Sequence, residues 1–223
     1  MPTILSIETA TNVCSVAIRQ QGQHLISIDL ASNYAHAEKL TLFIEDCLRH
    51  THLKTADIDA FAVSMGPGSY TGLRIGSATV KGLCYATNKP LIAINTLEAI
   101  AYQVACMMPD NYWLCPMLDA RRMEVYCTIY DHQLQIVTPT EAKIIDEHSF
   151  EEQLAHKPIV FFGNGAAKCK QILSRNANAL FLDQVIHPSA KSVASLAEKA
   201  YKQGQFQNIV CFEPFYLKEF VSK

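Results

Sequence analysis

The stretch Gly66-Pro67-Gly68-Ser69-Tyr70-Thr71-Gly72-Leu73-Arg74-Ile75-Gly76 lies between an apolar run, Ala60–Ser64, and a segment with helical periodicity. A strand, a glycine-rich loop and a helix in this order can place backbone N–H groups around an anion. Plain strand-to-helix turns have the same composition. The spacing therefore leaves two interpretations open, a phosphate-binding loop and an ordinary or interaction loop that resembles one.

Both standard nucleotide motifs fail in this loop. Gly66, Gly68 and Gly72 form G-x-G-x-x-x-G, which is one residue longer than the dinucleotide fingerprint. The phosphate loop of nucleotide hydrolases ends in Gly-Lys-Ser or Gly-Lys-Thr, and no such tripeptide follows here.

The composition narrows the class of protein. The chain has 223 residues, a net charge of −2 and 18% charged residues, which fits one large or two small domains and gives no overall attraction for nucleic acid. Met1–Leu5 lacks the basic and apolar regions of a signal peptide, and no apolar run is long enough to span a membrane. The eight cysteines form no C-x-x-C pair, so we expect reduced thiols and a cytoplasmic protein.

The first half of the chain predicts the order β-β-β-α-β-α-β-α, which is typical of a ribonuclease-H-like half-domain. The predicted strands are Thr3–Glu8, Ser15–Arg19, Gln23–Leu30, Ala60–Ser64 and Leu91–Ile94. The first predicted helix begins after Ser32 or Asn33, either of which could cap it, and two more follow at Leu73–Ala86 and Thr96–Cys106.

The second half predicts a weaker copy of the same order. Its strands are expected at Trp113–Leu118, Glu124–Tyr130, Leu134–Val137 and Ile159–Phe162, and its helices at Phe150–Ala155 and Ala166–Ser174. An internal duplication predicts an α/β fold of two ribonuclease-H-like lobes of the actin, Hsp70 and sugar-kinase type, with the second lobe reduced. We expect the lobes at residues 1–108 and 109–223.

Two polar segments are candidates for chemistry. Glu8 and Thr9 end the first strand, where they could lie near a phosphate and its Mg²⁺ or only satisfy the N–H groups of a turn. Arg121 and Arg122 lie in the predicted hairpin turn that begins at Asp119, where they could bind phosphate or form an ion pair with Glu124 or another acid.

Other catalytic patterns are missing from the sequence. The eight histidines show no H-x-x-x-H spacing, and no G-x-S-x-G elbow occurs. No base can be assigned to Ser69, so a serine or metallopeptidase is a poor reading. We expect His36, at the start of a helix, to be a polar surface or capping group.

Several motifs together resemble one family over essentially the full chain. They are ILSIETAT at the N-terminus, HAEKL, GPGSYTGLRIG, INTLEAIA, LDARRMEVY, FFGNG and the tail Pro214–Lys218. This combination is similar to the TsaB (YeaZ) family of tRNA threonylcarbamoyladenosine biosynthesis proteins.

The resemblance implies a non-catalytic scaffold or activator for threonylcarbamoyl transfer to adenosine 37 of tRNA. It implies a heterodimer with the catalytic paralogue TsaD, joined by the ATPase TsaE, with TsaC supplying threonylcarbamoyl-AMP. A homodimer through the same surface is expected when the chain is alone, and contact with tRNA only through the complex. Matched to the TsaD segment with two metal-binding histidines, this chain has Thr96 and Ile100. We therefore expect no metal and no firmly bound cofactor, with a weak ATP or ADP contact at the partner boundary.

Two sets of candidate site residues follow, a partner surface from the resemblance and a possible nucleotide-proximal set from the end of the first strand and the glycine turns. The partner surface, on the first two helices, is expected to include His36, Lys39, Leu40, Phe43, Leu73, Gly76, Ser77 and Val80. The nucleotide-proximal set is Glu8, Thr9, Gly66, Gly68, Ser69, Thr71, Gly163 and Gly165.

Two alternatives stay open beside the scaffold. The glycine turns and Glu8 are compatible with an ATP-binding or ATP-hydrolysing enzyme of the actin-like superfamily. A peptidase is the weaker alternative, because neither a triad nor a metal site is readable.

Overall fold

The computed structural model describes residues 1–32 and 36–218, which divide into two compact units. The first unit contains Met1–Ala99 and Pro188–Tyr216. Of the described residues, the second contains Ile100–His187 together with Leu217 and Lys218, so the division falls within a helix, Thr96–Ala105.

The first unit is built on a five-stranded sheet with the spatial order β3-β2-β1-β4-β5. The strands are β1 (Thr3–Glu8), β2 (Val13–Gln20), β3 (Gln23–Ala31), β4 (Ala60–Gly66) and β5 (Leu91–Asn95). The first three form an antiparallel meander, and β4 and β5 join parallel to β1 and β4. This is the predicted ribonuclease-H-like topology.

Helices α1 (His36–Thr51) and α2 (Tyr70–Thr87) cover one face of this sheet, and a short 3-10 helix (Thr55–Asp57) follows α1. Leu40, Ile44 and Cys47 of α1 are buried in one apolar cluster with Leu5 and Ile7 of β1. A stripe at this spacing is what a helix lying on a sheet requires. Of the two residues expected to cap α1, Asn33 lies outside the described residues.

Helix α2 begins three residues before the predicted start at Leu73. The Ser69 hydroxyl accepts a hydrogen bond from the Gly72 N–H at 3.3 Å and caps the helix at that end. At the other end, Asn88 adopts the left-handed conformation, with φ of 55°, and stops the helix.

The other face of the first sheet is covered by a helix from the end of the chain. Helix α6 (Ala190–Lys202) packs against β1, β2, β4 and β5. The expected second lobe at 109–223 is therefore corrected, because residues 188–216 return to the first unit. The physical reason is that the alanine-rich side of α6 is buried on the small side chains of the sheet, such as Ala17 and Ala62.

Polar contacts fix α6 on the sheet. Ser15 Oγ accepts a hydrogen bond from the Ala190 N–H at 2.9 Å, at the start of the helix. Near the other end, Glu198 forms an ion pair with Arg19 of β2 at 2.6 Å. Its buried carboxylate is also 2.8 Å from Lys202 Nζ.

The second unit repeats the topology, with the strand order β10-β9-β6-β7-β8. Its strands are β6 (Trp113–Asp119), β7 (Glu124–Tyr130), β8 (Ile136–Ile144), β9 (Ile159–Phe162) and β10 (Ala179–Phe181). Its helices are α4 (Glu151–His156) and α5 (Ala166–Leu173), and α3 (Thr96–Ala105) precedes them. Because α4 and α5 are half the length of α1 and α2 or less, the reduced second lobe is confirmed.

The sequence prediction differs from this unit in two places. Strand β8 runs to Ile144 rather than ending at Val137, and β10 was not predicted. Most of β8 is partly or fully exposed, and β10 has only three residues, so neither carries a strong apolar signal.

All eight cysteines are free thiols, six of them buried. Among the described residues, the helices are all too short or too polar to cross a bilayer.

Candidate functional site at the glycine loop and helix α2

The turn between β1 and β2 fits into the glycine loop. A Cβ atom at Gly68 would lie 2.3 Å from the carbonyl oxygen of Ala10, and one at Gly72 would lie 2.0 Å from that of Thr9. These separations are far below van der Waals contact, so only glycine allows the two segments to approach. The Ser69 N–H donates to Ala10 O at 2.7 Å and completes the junction.

Thr9 is the side chain that connects the turn to α2. It is fully buried, and its hydroxyl donates to the Gly72 carbonyl at 2.8 Å. Gly76 leaves room for it, because a Cβ there would lie 2.4 Å from Thr9 Oγ1. The two glycines at four-residue spacing at the start of α2 therefore face the protein's own β1–β2 turn.

Glu8 is a fully buried carboxyl at the end of β1. Its Oε1 accepts a hydrogen bond from the Ala10 N–H at 2.5 Å, and its Oε2 has no hydrogen-bond partner among the described residues. Burial raises the pKa of Glu8 to about 7, although the Ser64 hydroxyl and the amides of Ala10 and Thr9 oppose the rise. Glu8 therefore satisfies a turn N–H group, one of the two roles expected for it.

The loop uses its amide groups within the protein. Besides Ser69 N–H, the Gly72 N–H donates to Ser69 Oγ, and the Leu73 N–H donates to Ser69 O at 2.8 Å. Gly66 has φ of 111° and lies against the carbonyl of Phe215. The internal partners of the Ser69, Gly72 and Leu73 amides favour the ordinary-loop interpretation, and phosphate binding at this loop stays a prediction.

The second glycine turn has the same internal role in its own unit. A Cβ at Gly163, where φ is 100°, would lie 2.4 Å from Met117 O, and one at Gly165 would lie 2.8 Å from the carbonyl carbon of Leu118. The Gly165 N–H donates to Met117 O at 3.0 Å. In both units, glycines after a parallel strand admit the end of the neighbouring strand. A nucleotide near Glu8, Thr9, Thr71 or either turn stays a prediction.

The hairpin that contains Arg121 and Arg122 holds no ion pair between these arginines and Glu124 in the described part of the chain. Both arginines have positive φ, at 71° and 47°. Asp119 pairs with Lys168, and Glu124 pairs with Lys218. Of the roles considered for the two arginines, an ion pair with Glu124 is not formed in the described residues because Lys218 pairs with that carboxylate, and phosphate binding stays a prediction.

Most residues of the expected partner surface are buried within the first unit. His36 is 8% exposed, and its Nε2 lies 2.7 Å from Thr11 O, so it is not a surface group. Lys39 and Phe43 are half-buried. The other five are buried against the sheet or the β1–β2 turn and cannot contact a partner, which corrects their assignment. These residues are Leu40, Leu73, Gly76, Ser77 and Val80.

A different side of α2 is exposed. We call it the outer face of α2, and it consists of Thr71, Arg74, Ala78, Gly82, Tyr85 and Ala86. Their spacing of three and four residues puts them on one side of the helix. The side chain of Tyr85 is 83% exposed, and nothing lies within 4 Å of a Cβ built at Gly82. The small residues Ala78 and Gly82 at its centre permit close approach of another helix.

Thr96 and Ile100, which the resemblance matches to the two metal-binding histidines of TsaD, are both buried. The Thr96 hydroxyl lies 2.7 Å from Ser64 Oγ, and Ile100 is in the apolar core. An isoleucine side chain has no donor atom for a metal. In the described residues, no cluster of three histidine, cysteine or acidic side chains has the arrangement of a metal site.

The sequence of this chain is similar to those of known proteins over nearly its full length. The family model for TsaD, tRNA N6-adenosine threonylcarbamoyltransferase, matches residues 30–221. The tRNA threonylcarbamoyladenosine biosynthesis protein TsaB of Escherichia coli K12 is 29% identical over 224 residues, covering 98% of this chain and 96% of that protein. TsaB of Haemophilus influenzae is 27% identical over 229 residues, covering 99% and 95%.

Solved structures share the fold. A crystal structure from Pseudomonas aeruginosa, described as an uncharacterized protein with similarity to peptidase YEAZ, has a TM-score of 0.87 at 26% identity and covers 98% of this chain and 100% of its own. The activator of the 2-hydroxyisocaproyl-CoA dehydratase from Clostridium difficile, with bound ADPNP, has a TM-score of 0.51 at 12% identity and covers 92% and 96%. At that identity the likeness concerns the fold alone. The full-length matches and the family model agree, and this chain belongs to the tRNA N6-adenosine threonylcarbamoyltransferase family, in its TsaB (YeaZ) branch.

Proposed function

We propose that this chain acts in the biosynthesis of tRNA threonylcarbamoyladenosine as the non-catalytic partner of TsaD. The observation that carries the proposal is the full-length similarity to proteins named TsaB. The chain would work in the cytoplasm, with TsaE as a third component, and would contact tRNA only within the complex.

The chemistry of the buried residues supports a non-catalytic role. Thr96 and Ile100 occupy the positions at which the catalytic paralogue has histidines, and both are fully buried. The Thr96 hydroxyl is engaged with Ser64, and a saturated side chain at position 100 cannot bind a metal. The transfer chemistry would then belong to TsaD, and this chain would contribute a binding surface.

The outer face of α2 is the surface that we assign to TsaD. Its centre at Ala78 and Gly82 is small and uncharged, so a partner helix can approach the backbone closely. Tyr85 offers a large exposed ring beside it, a residue type that often dominates interface energies. The same face would form a homodimer when TsaD is absent.

A reconstituted transfer reaction tests the proposal. TsaC, TsaD, TsaE, tRNA, threonine, bicarbonate and ATP are incubated with and without this chain, and modified adenosine is quantified. We expect product only in its presence. Equal product without the chain would refute the proposed function.

Ala78→Trp tests the surface, with Ala177→Trp as a matched control. Both alanines are exposed, but Ala177 lies in a loop of the second unit. We expect Ala78→Trp to weaken binding to TsaD at least tenfold and to make the isolated chain monomeric, measured by titration calorimetry and sedimentation. Normal binding by a folded Ala78→Trp variant would show that the outer face of α2 is not the interface.

Nucleotide binding by the isolated chain is a separate question. We expect at most weak contact with ATP or ADP at the partner boundary, because the Ser69, Gly72 and Leu73 amides already have partners. Calorimetry with Mg-ATP tests this expectation. Tight binding with turnover would favour the alternative of an ATP-hydrolysing enzyme.

A further inference from the structure

A chain of contacts joins the Glu8 carboxyl to the start of α2. Glu8 Oε1 accepts the Ala10 N–H, and the carbonyl of Ala10 accepts the Ser69 N–H at 2.7 Å. Ser69 caps α2, and the Thr9 hydroxyl donates to the Gly72 carbonyl in its first turn. Apart from the cap by the exposed Ser69 side chain, these contacts are made by the backbone or by buried side chains, a continuous route by which a change at Glu8 can alter the position of α2.

The second oxygen of Glu8 is what makes this arrangement sensitive to ionisation. It is buried without a partner within hydrogen-bond distance in the described residues, and the Ser64 hydroxyl, which interacts with Glu8 and lowers its pKa, is itself 2.7 Å from Thr96 Oγ1. A neutral carboxyl tolerates such a place, whereas a carboxylate without a cation is costly there. The residue opposite Glu8 on β2 in the register is Ser15, which is uncharged.

We propose that the Glu8 carboxyl is a proton-dependent latch, which in its neutral form keeps the β1–β2 turn in the glycine loop and so fixes the N-terminal end of α2. Glu8 is a positioning residue in this scheme and contacts no partner. Loss of the proton loosens the turn, and binding at the outer face of α2 weakens. This last step rests on the proposed function, whereas the latch itself does not.

Other titratable groups surround the turn and must be separated from Glu8. Cys14 on β2 is the group on which Glu8 acts electrostatically, and burial raises the pKa of its thiol to about 11, outside the relevant range. His36 on α1 contacts the same turn through Thr11 O. The charged residues of the elements that pack against β1 are Arg19 on β2, Arg74 and Lys81 on α2, and Lys191, Glu198, Lys199 and Lys202 on α6.

The first test measures the latch without any partner. Exchange of the Ser69 amide hydrogen is compared between wild type and Glu8→Gln at the same pH, which cancels the intrinsic pH dependence of exchange. The glutamine amide has the shape of the neutral carboxyl and retains an acceptor for the Ala10 N–H. We expect the ratio of the wild-type rate to the Glu8→Gln rate to rise by up to about tenfold between pH 6 and pH 8, since the neutral fraction falls about tenfold across that interval for a pKa of about 7.

Two controls keep the result decisive. His36→Gln should keep the wild-type pH dependence of Ser69 amide exchange. The proposal would be overturned if this pH dependence disappeared in His36→Gln and were unchanged in Glu8→Gln. If Glu8→Gln does not fold, the wild-type carboxyl carbon of Glu8 is titrated by NMR together with the Ser69 amide shift. A shared midpoint supports the latch, and different midpoints overturn it.

The second test measures TsaD binding at pH 6 and pH 8. We expect the wild-type affinity to fall by up to about tenfold and that of Glu8→Gln to stay constant. Parallel falls in both proteins would overturn the coupling of Glu8 to the outer face of α2. If TsaD binds at neither pH, the proposed function is refuted, and the exchange experiment still tests the latch on its own.

Discussion

Two glycines in the same helix should respond in opposite directions to the same substitution. Gly76 and Gly82 both lie inside α2. A Cβ at position 76 would meet Thr9 Oγ1 at 2.4 Å and Val63 Cγ2 at 3.4 Å, whereas one at position 82 meets nothing within 4 Å. Gly82→Ala is therefore the matched control for Gly76→Ala.

The magnitudes follow from the contacts. Alanine gains about 1 kcal/mol of helix propensity at either position. At position 76 the methyl group displaces the Thr9 hydroxyl from the Gly72 carbonyl, which costs about 1–3 kcal/mol for a buried hydrogen bond, and overpacking adds about 1–3 kcal/mol. We expect Gly76→Ala to lower the free energy of unfolding by about 3 kcal/mol and Gly82→Ala to raise it by about 1 kcal/mol.

Urea denaturation followed by circular dichroism measures both changes. The slopes of the two transitions should match that of the wild type, so that the midpoints report stability. If Gly76→Ala were as stable as Gly82→Ala, the close approach of the β1–β2 turn to α2 would be refuted. Replacing Thr9 by alanine in the Gly76→Ala background should recover part of the loss if the two positions are coupled, because alanine lacks the Oγ1 atom that the new methyl group meets.

Three further predictions concern buried charge and backbone conformation. Because the pKa of Glu8 is raised from 4.5 to about 7, the folded protein binds an extra proton between these values, and its stability falls as the pH rises through them. Glu8→Gln should remove this loss and be more stable than the wild type by about 3 kcal/mol at pH 8.5 but not at pH 4.5. Equal denaturation midpoints of the two proteins at both pH values would contradict the assignment. Glu198→Gln should lower the free energy of unfolding by about 2–3 kcal/mol, because Arg19, whose side chain is 19% exposed, loses its carboxylate partner. Lys202→Ala should lower it by less than about 1 kcal/mol. Thermal unfolding of the two variants checks this contrast, and equal losses of stability would argue against it. Asn88→Gly should be neutral or slightly stabilising because residue 88 has φ of 55°, while Asn88→Ala should lower the free energy of unfolding by about 1 kcal/mol. Urea titrations measure both variants, and a more stable Asn88→Ala than Asn88→Gly would show that the left-handed cap is wrong.

The elements of the first unit could be predicted largely from local patterns. The apolar spacing of Leu40, Ile44 and Cys47 identifies α1, and the alternation in Thr3–Glu8 gives β1 with its observed bounds. The start of α2 was missed because Tyr70, Thr71 and Gly72 resemble a loop. Only the bond from Gly72 N to Ser69 Oγ identifies the cap.

The site could not be read in the same way, because its contacts join distant parts of the sequence. Thr9 and Gly72 are 63 residues apart, and nothing in the glycine spacing identifies the group that approaches them. Two stripes of small residues also occur on α2 at four-residue spacing. The pattern cannot tell that Gly72 and Gly76 face inward while Ala78 and Gly82 face solvent, since that depends on the sheet.

Helix α6 was missed although its sequence carries a readable signal. Ser189 is an N-cap residue after Pro188, and Val193 and Ala197 repeat at helical spacing. Its place on the first sheet was beyond prediction, since the internal duplication favoured assigning the whole second half to one lobe. The ion pair between Arg19 and Glu198, 179 residues apart, could be seen only in three dimensions.

The return of α6 has a consequence for how the protein is made. During synthesis the five strands of the first sheet emerge long before Ala190–Lys202, so that sheet waits with one apolar face uncovered. The second unit is almost continuous in sequence and can close on itself first. The nascent chain therefore completes its N-terminal half last, and a truncation before residue 190 should leave that half prone to aggregation rather than simply shorter.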